Sequence, residues 1–241
     1  MEHAKNPWVI IGVLTVAVFG GAIWYSSAAA ERNNEGVEVV DVHVKGNPDA
    51  EVVLVEYSDF QCPACRAFQP VVDEALSQFG DSIRFEYHHF PLPIHPHAQA
   101  ASVAAEAAGQ QDAFFEYHDL LYERQDQWSN MASPDPVFIS FAEELGLDVA
   151  QFRRHMNSSL LREAVRSDLA AAQQLGLRGT PSFILNGEQM QFESYEGFIN
   201  QLAEAVGATT TMEAGTSGES HSGSGMSDES AEATPSVQFG I

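Results

Sequence analysis

The chain contains two cysteines, Cys62 and Cys65, which are separated only by Pro63 and Ala64. The apolar run 52–57 before them is typical of a buried strand, and the residues after them have the spacing of a helix. Two thiols on the first turn of a helix lie close enough to form a disulfide. This pair is therefore predicted to be a redox site that alternates between dithiol and disulfide.

Cys62 is predicted to be the nucleophile, because the N-terminus of a helix stabilises a thiolate and lowers its pKa below the free value of about 8.5. Two other interpretations stay open, half of a zinc site and a structural disulfide without a catalytic role. A zinc site usually has four ligands, and the sequence has no second cysteine pair. No metal or other cofactor is predicted, since the Cys62–Cys65 disulfide itself is the redox group.

The N-terminal segment 8–30 contains 23 residues without a charge. A helix of that length spans the hydrocarbon core of a bilayer, about 30 Å, with Trp8 at one interface and Trp24 and Tyr25 at the other. An uncleaved anchor is predicted, and a signal peptide cleaved after the small residues 28–30 is the alternative. A redox pair behind an export segment belongs outside the cytoplasm. We therefore expect a single-pass cell-membrane protein with an extracytoplasmic catalytic domain.

Composition divides the rest of the chain into three parts. Residues 31–37 are a predicted linker, and residues 38–206 are long enough for one well-packed domain. Residues 207–241 are acidic and rich in Ser and Gly, with few large apolar residues. Such a segment cannot bury enough surface to offset its ordering entropy, so a disordered tail is predicted.

The net charge is −23, from 11 Lys and Arg against 34 Asp and Glu. A surface of that charge repels nucleic acid and anionic lipid headgroups, so neither is an expected partner, and membrane contact is expected through residues 8–30 alone. Solubility explains the acidity in general terms. Life in high salt, where screening relieves self-repulsion, is a second explanation that stays open.

The order of predicted elements indicates an α/β fold. Apolar or alternating runs predict strands at 37–44, 52–57, 83–87, 182–185 and 189–192. Asn186-Gly187 predicts a hairpin between the last two of these strands. Helical spacing follows the cysteines, fills residues 97–177 and returns at 195–206. A β-α-β half and a β-β-α half are thus separated by an all-helical insertion.

The motif Asp59-Phe60-Gln61-Cys62-Pro63-Ala64-Cys65, the later Gly179-Thr180-Pro181 and the insertion between them together resemble the DsbA-type thiol–disulfide oxidoreductases of the thioredoxin superfamily. The membrane-anchored bacterial members are the most similar. The resemblance covers residues 38–206. It implies a thioredoxin-like fold with a helical insertion, and an enzyme that exchanges disulfides with proteins.

The resemblance also implies the roles of further residues. Thr180–Pro181 is expected to be a cis peptide bond beside the thiols, with Thr180, Pro63 and Ala64 contacting an extended substrate segment. Glu56 corresponds to a buried acid that exchanges protons with the buried thiol, because burial raises the pKa of a carboxyl group. A Glu56 side chain that points outward into solvent is the alternative.

Two further features of the sequence concern the surroundings of the cysteines. The strongly oxidising members resemble Cys-Pro-His-Cys, whereas Ala64 stands here in place of the histidine, which puts strong oxidant character in doubt. Four histidines surround residues 90–93, namely His88, His89, His95 and His97. A structural role is favoured for them over a metal site, and a loop near the active site is the functional alternative.

The sequence therefore predicts an extracytoplasmic enzyme that forms disulfides in exported proteins through Cys62 and Cys65. Its expected partners are exported cysteine-containing proteins and a membrane redox protein that reoxidises or reduces the pair. A reductase or isomerase of the same fold is the first alternative, because direction depends on potential and partner. A tethered binding module or metallochaperone that uses the thioredoxin-like groove is the second.

Overall fold

The structure is a computed structural model that describes residues 7–39 and 42–207. The predicted tail 207–241 lies outside the described residues apart from Gly207, and so does the beginning of the chain before Pro7.

Five strands form one mixed sheet in the order β1-β3-β2-β4-β5. Their bounds are β1 His43–Gly46, β2 Val52–Ser58, β3 Ile83–His89, β4 Ser182–Leu185 and β5 Glu188–Gln189. The central strand β2 is parallel to β3 and antiparallel to β4. The redox motif follows the carboxyl end of β2, which is where sites lie in open α/β sheets.

Two strands differ from their predicted bounds. The strand predicted at 37–44 begins only at His43. Glu38 lies outside the sheet because the Gln110 side chain binds both its N–H and its C=O, each over 2.7 Å. The strand predicted at 189–192 is the shorter β5, which follows Asn186 and Gly187 with φ angles of 51° and 87°. Both positive φ angles are those of the predicted hairpin turn.

Nine helices complete the described part of the chain. Their bounds are α1 Pro7–Asn34, α2 Pro63–Phe79, α3 Ala98–Gly109, α4 Phe114–Glu123, α5 Gln125–Trp128, α6 Asp135–Glu144, α7 Val149–Met156, α8 Ser159–Gln174 and α9 Tyr195–Ala205. The predicted insertion 97–177 corresponds to α3–α8. The predicted fold, two sheet-forming halves separated by helices, is confirmed.

Aromatic side chains fix α2 against the sheet and α9. The Phe68 ring of α2 lies 5.0 Å from both the Phe183 and the Phe198 rings, centroid to centroid. Within the insertion, the Tyr117 and Tyr122 side chains are also fully buried. Buried aromatic rings contribute large apolar areas, so the helix that begins at the cysteines is held on both of its sides.

Helix α1 is longer than the segment 8–30 from which it was predicted, since it continues through Asn34. Within the described residues, it is the one helix that is long and apolar enough to cross a membrane, over Ile10–Asn34. Ala28 and Ala29 are half-buried because the last turns of α1 contact α7 and α8. The predicted linker 31–37 therefore begins as a helix that is attached to the domain.

Candidate active site

Cys62 is the N-cap residue of α2 and Pro63 follows it in the first turn, where the missing proline N–H loses no helical hydrogen bond. The Cys62 N–H donates to the Asp59 carbonyl over 3.0 Å, and the Cys62 carbonyl accepts from the Arg66 N–H over 3.2 Å. Cys62 keeps 7% of its surface exposed, against 1% for Cys65. An incoming thiolate therefore has access to Cys62 but not to Cys65.

The loop that contains Thr180 and Pro181 lies against this sulfur. The Thr180–Pro181 peptide bond is cis, as the family resemblance implies. The Cys62 thiol donates to the Thr180 carbonyl, with 3.6 Å between Sγ and the oxygen. Cys62 and Thr180, which are 118 positions apart in the sequence, are thus brought together at the Cys62 sulfur.

The two thiols differ strongly in acidity. The Cys62 pKa is lowered from 9.0 to about 5, and a hydrogen bond from the Cys65 side chain is the largest cause. The Thr180 side chain and the backbone N–H groups of Cys65 and Ala64 lower it further, whereas burial raises it. Burial raises the pKa of Cys65 well above 9.0, and the neighbouring Cys62 raises it further. Helix N–H groups do stabilise the thiolate, as predicted, but the second thiol contributes more.

Glu56 lies on β2 with 1% of its surface exposed, so the outward-facing, solvated alternative is wrong. Burial raises the Glu56 pKa from 4.5 to about 7, a hydrogen bond from Ser58 lowers it, and the charge of Asp73 raises it slightly. Its Oε2 atom has no hydrogen-bond partner among the described residues. A carboxyl group with this pKa exchanges protons readily at neutral pH.

A set of buried hydroxyl groups lies next to Glu56. Ser58 influences the pKa of both Glu56 and Cys65 through hydrogen bonds. Its Oγ lies 2.9 Å from the Tyr122 hydroxyl, which in turn lies 3.3 Å from the Tyr87 hydroxyl. The side chains of Ser58, Tyr122 and Tyr87 therefore form a polar cluster inside the core beside Cys65. No pattern in the sequence indicated this cluster, because its members lie far apart along the chain.

Asp59 organises the loop before Cys62 and is fully buried. One carboxylate oxygen accepts from the Gln61 N–H over 2.7 Å. The other accepts from the Leu92 N–H over 2.8 Å and lies 2.7 Å from His95 Nδ1. In the sequence Asp59 was only one position of the family motif, whereas in the structure its carboxylate fixes this loop.

The helical insertion holds the same loop from the other side. Gln125 Nε2 donates to the carbonyls of Phe60 and Cys62 over 2.7 and 3.1 Å. Gln61 Nε2 donates to the Ser129 carbonyl over 2.7 Å. The insertion thus positions the nucleophile, and sequence reasoning missed Gln125 because no local pattern reveals a contact over 63 positions.

The four histidines near residues 90–93 do not converge on one point. Each contacts a different group within 2.9 Å: His88 and Asp168, His89 and Glu106, His95 and Asp59, His97 and the Met131 carbonyl. Among the described residues, no group of three or more His, Cys, Asp or Glu side chains is arranged to hold a metal ion. The contacts support the favoured structural role, with His95 also part of the active-site loop.

Two open grooves flank the cysteines. One has a volume of about 170 Å³ and is lined by Pro181, Met190 and three phenylalanines, Phe68, Phe183 and Phe192, among others. The other, of about 520 Å³, is lined by polar residues such as Gln61 and Arg66 together with Pro63. Ala64 is half-buried and lines neither of these two grooves.

A family model described as Thioredoxin matches residues 38–204 of the chain. The chain therefore belongs to the thioredoxin family.

Solved structures agree with this assignment. A thioredoxin-like oxidoreductase from Silicibacter pomeroyi is 26% identical, with a TM-score of 0.58 over 69% of this chain and 92% of that one. BdbD from Bacillus subtilis, in its oxidised form, is 20% identical, with a TM-score of 0.61 over 69% and 94%. Wolbachia pipientis alpha-DsbA1 is 19% identical, with a TM-score of 0.62 over 73% and 96%. The fold is thus that of the DsbA-type proteins.

Curated relatives include Na(+)/H(+) antiporters. NhaA 3 of Salinispora tropica is 40% identical over 148 residues, which cover 61% of this chain and 22% of the antiporter. NhaA 1 of Salinispora arenicola is 40% identical over 165 residues, which cover 68% of this chain and 24% of the antiporter. The chain spans about a quarter of these relatives or less, so the similarity concerns one segment of them and not the whole transporter.

Proposed function

We propose that the protein is a membrane-anchored, extracytoplasmic thiol–disulfide oxidoreductase that forms disulfides in exported proteins. The observation that carries this proposal is the asymmetry of the cysteine pair. Cys62 is the accessible thiol with a lowered pKa, and Cys65 is a fully buried thiol with a raised pKa. An acidic thiol is a good leaving group, and stabilising the reduced pair makes its disulfide a stronger oxidant.

In the proposed reaction, the oxidised enzyme contains the Cys62–Cys65 disulfide. A substrate thiolate attacks the Cys62 sulfur, a new S–S bond forms, and the electron pair of the old bond leaves with the Cys65 sulfur. A second substrate thiolate then attacks the substrate sulfur of this mixed disulfide and expels Cys62 as a thiolate. The substrate has lost two electrons and the enzyme has gained them.

Glu56 has a proton role in this sequence. The thiolate of Cys65 is strongly disfavoured by burial, so the departing sulfur needs a proton as it leaves. With a pKa of about 7, the Glu56 carboxyl is partly protonated at neutral pH and can supply it. Reoxidation reverses the transfer, and Glu56 then accepts the proton of Cys65.

The substrate is proposed to bind as an extended segment beside Pro181. The Thr180 carbonyl faces Cys62, and the groove next to it is lined by Phe68, Phe183 and Met190. Backbone pairing with Thr180 gives affinity without sequence preference, and apolar side chains of an unfolded polypeptide fit the groove. Pro63 and Ala64 complete the contact surface on the cysteine side in this proposal.

Helix α1 is proposed to be the anchor, with the thioredoxin-like domain outside the cytoplasm. Its length and composition suit a membrane span. Disulfides persist in oxidising compartments, so an enzyme that makes them acts there. A tethered domain also stays near a membrane redox protein, which we propose as the partner that reoxidises Cys62 and Cys65.

The proposal is tested with the oxidised full-length chain and a reduced peptide that contains two cysteines. One mole of oxidised enzyme is expected to produce about one mole of peptide disulfide in a single turnover. The measurement is the loss of peptide thiols followed by mass spectrometry, with Cys62→Ala as the matched control. No peptide oxidation beyond that control would remove the proposed function.

A further inference from the structure

We infer that the α7–α8 corner, defined as residues 149–166 together with Arg32, is a docking surface for anionic lipid headgroups. The inference rests on the proposed membrane insertion of α1 and goes beyond the redox function. It also revises the expectation, drawn from net charge, that anionic headgroups are not partners of this protein.

The few cations of the chain are concentrated at this corner. The chain has 11 Lys and Arg in 241 residues, and residues 149–166 contain four of them, Arg153, Arg154, Arg162 and Arg166. The same segment contains one acidic residue, Glu163, so its charge is 4 − 1 = +3 in a chain of net charge −23. The charge of this acidic protein is therefore unevenly distributed, and the net charge alone does not reveal the basic segment.

The structure attaches this basic segment to the end of the membrane helix. The Asn34 Oδ1 atom accepts from the Ser158 hydroxyl over 2.8 Å and from the Ser159 N–H over 3.0 Å, which caps the start of α8. The Glu35 carbonyl lies 3.3 Å from His155 Nε2 at the end of α7. The turn between α7 and α8 is therefore fixed to the last residues of α1.

This attachment places the corner close to the headgroups. The uncharged span ends at residue 30, so Asn34 lies about 6 Å beyond that end along the helix axis and about 14 Å beyond the interfacial Tyr25, at 1.5 Å per residue. The polar zone on each side of a bilayer is about 5–8 Å thick. Arg154 and Arg162 each lie four residues from Ser158, and their long side chains can reach this zone.

Arg166 pairs with Glu163 and Arg162 donates to the Asn157 carbonyl, whereas the other arginine side chains of the corner are available for such a contact. Arg32, Arg153 and Arg154 are exposed, and none of them forms an ion pair with another residue of the described ranges 7–39 and 42–207. Arg153 and Arg162 line one side of an open groove of about 650 Å³, in which Asp135 is the one acidic lining residue. Guanidinium groups bind phosphate oxygens through paired N–H donors.

An apolar residue accompanies the arginines. Leu160, in the first turn of α8, has 40% of its surface exposed, beside the Ser159 to which Asn34 is bonded. An exposed leucine next to cations is the combination that interfacial helices present to a bilayer. The corner therefore offers both electrostatic and apolar contacts to a lipid surface.

The test uses the full-length chain in vesicles of equal parts phosphatidylglycerol and phosphatidylcholine. A photoreactive group is placed on the headgroup of either lipid, and labelled peptides are mapped by mass spectrometry. We expect the anionic probe to label residues 149–166 about threefold or more above the choline probe, with the difference reduced by high salt. A probe on the acyl chain should label α1 in the same vesicles.

Three matched variants separate charge from structure. Arg153→Gln/Arg154→Gln/Arg162→Gln should lose the preference for the anionic probe, and the corresponding triple Lys variant should keep it. Arg84→Gln/Arg124→Gln/Arg178→Gln removes three cations elsewhere and should also keep it. All three should oxidise the model peptide at the wild-type rate, so failure of the redox function would be recognised separately.

Several results would overturn the inference. Equal labelling by both probes would mean that the corner does not bind anionic headgroups, and labelling confined to residues 31–36 would mean that Arg153, Arg154 and Arg162 face water. Absence of acyl-chain labelling in α1 would remove the anchor on which the inference rests. A corner that stays unlabelled, but whose glutamine variant oxidises acidic polypeptides more slowly than neutral ones, would be a substrate surface instead.

Discussion

Cells that produce the Cys65→Ala variant are expected to accumulate covalent adducts between this protein and exported proteins. Cys62 can still form a mixed disulfide, but the internal thiol that would attack it and release the substrate is gone. Because Cys62 is the one cysteine left in this variant, the adducts should all be attached through Cys62. Non-reducing electrophoresis of acid-quenched cells measures them, and dithiothreitol should remove them.

The Cys62→Ala variant is the matched control and should show no adducts. This contrast between the two variants is the largest effect that the proposed mechanism predicts. A tethered binding module would behave differently. It would keep the same partners after either substitution and in the presence of reductant. Identical, reductant-resistant capture by both variants would therefore exclude the oxidoreductase mechanism.

The Glu56→Gln variant is expected to be more stable and slower than the wild-type protein. The Glu56 pKa is raised from 4.5 to about 7 in the folded state, so the protonated form stabilises the fold. This contribution is fully present below pH 4.5 and is lost as the pH rises through 7, when the buried carboxyl must ionise. At pH 8 the substitution should raise the free energy of unfolding by about 3 kcal/mol, and at pH 4 by almost nothing.

The same substitution removes the proton donor for Cys65. We expect peptide oxidation at neutral pH to slow by about tenfold to a hundredfold, with little change in the equilibrium potential. Glu51→Gln, at an exposed position just before β2, is the matched control and should change neither quantity. Equal rates for wild type and Glu56→Gln would exclude the proton role, even if the stability increases.

The sequence was sufficient for those parts of the site that depend on local order along the chain. The spacing of Cys62 and Cys65, the strand before them and the Asn186-Gly187 turn are short-range patterns, and the structure has all three. The position of Thr180 came from the family resemblance, and its carbonyl does lie beside Cys62. Strand edges were less predictable, because the Gln110 side chain decides where β1 begins.

Contacts between distant segments could not be predicted. Gln125 holds the carbonyl of Cys62, and Asp59 holds the backbone of Leu92, through polar bonds that leave no periodic pattern in the sequence. The charge distribution is a similar case. The total of −23 suggested repulsion from anionic surfaces, whereas the bonds from Asn34 to the α7–α8 corner place a basic segment next to the end of helix α1.

The structure also changes the interpretation of the missing histidine at position 64. Its absence suggested a weaker oxidant, because that histidine stabilises the thiolate in the strongly oxidising relatives. Here the Cys65 thiol, the Thr180 side chain and the helix N–H groups lower the Cys62 pKa to about 5 without that histidine. A low Cys62 pKa therefore does not require a histidine between the cysteines.

The reduction potential of the Cys62–Cys65 pair tests the central claim most directly. Thioredoxin, with a thiol pKa of about 7, has a potential of about −270 mV, and DsbA, with a pKa of about 3.5, has about −120 mV. A Cys62 pKa of about 5 lies between them and predicts a potential of about −180 mV for this protein. Equilibration of the full-length chain with glutathione buffers measures it. A value near −180 mV agrees with a disulfide donor, and a value at or below about −270 mV would contradict that role and indicate a reductase.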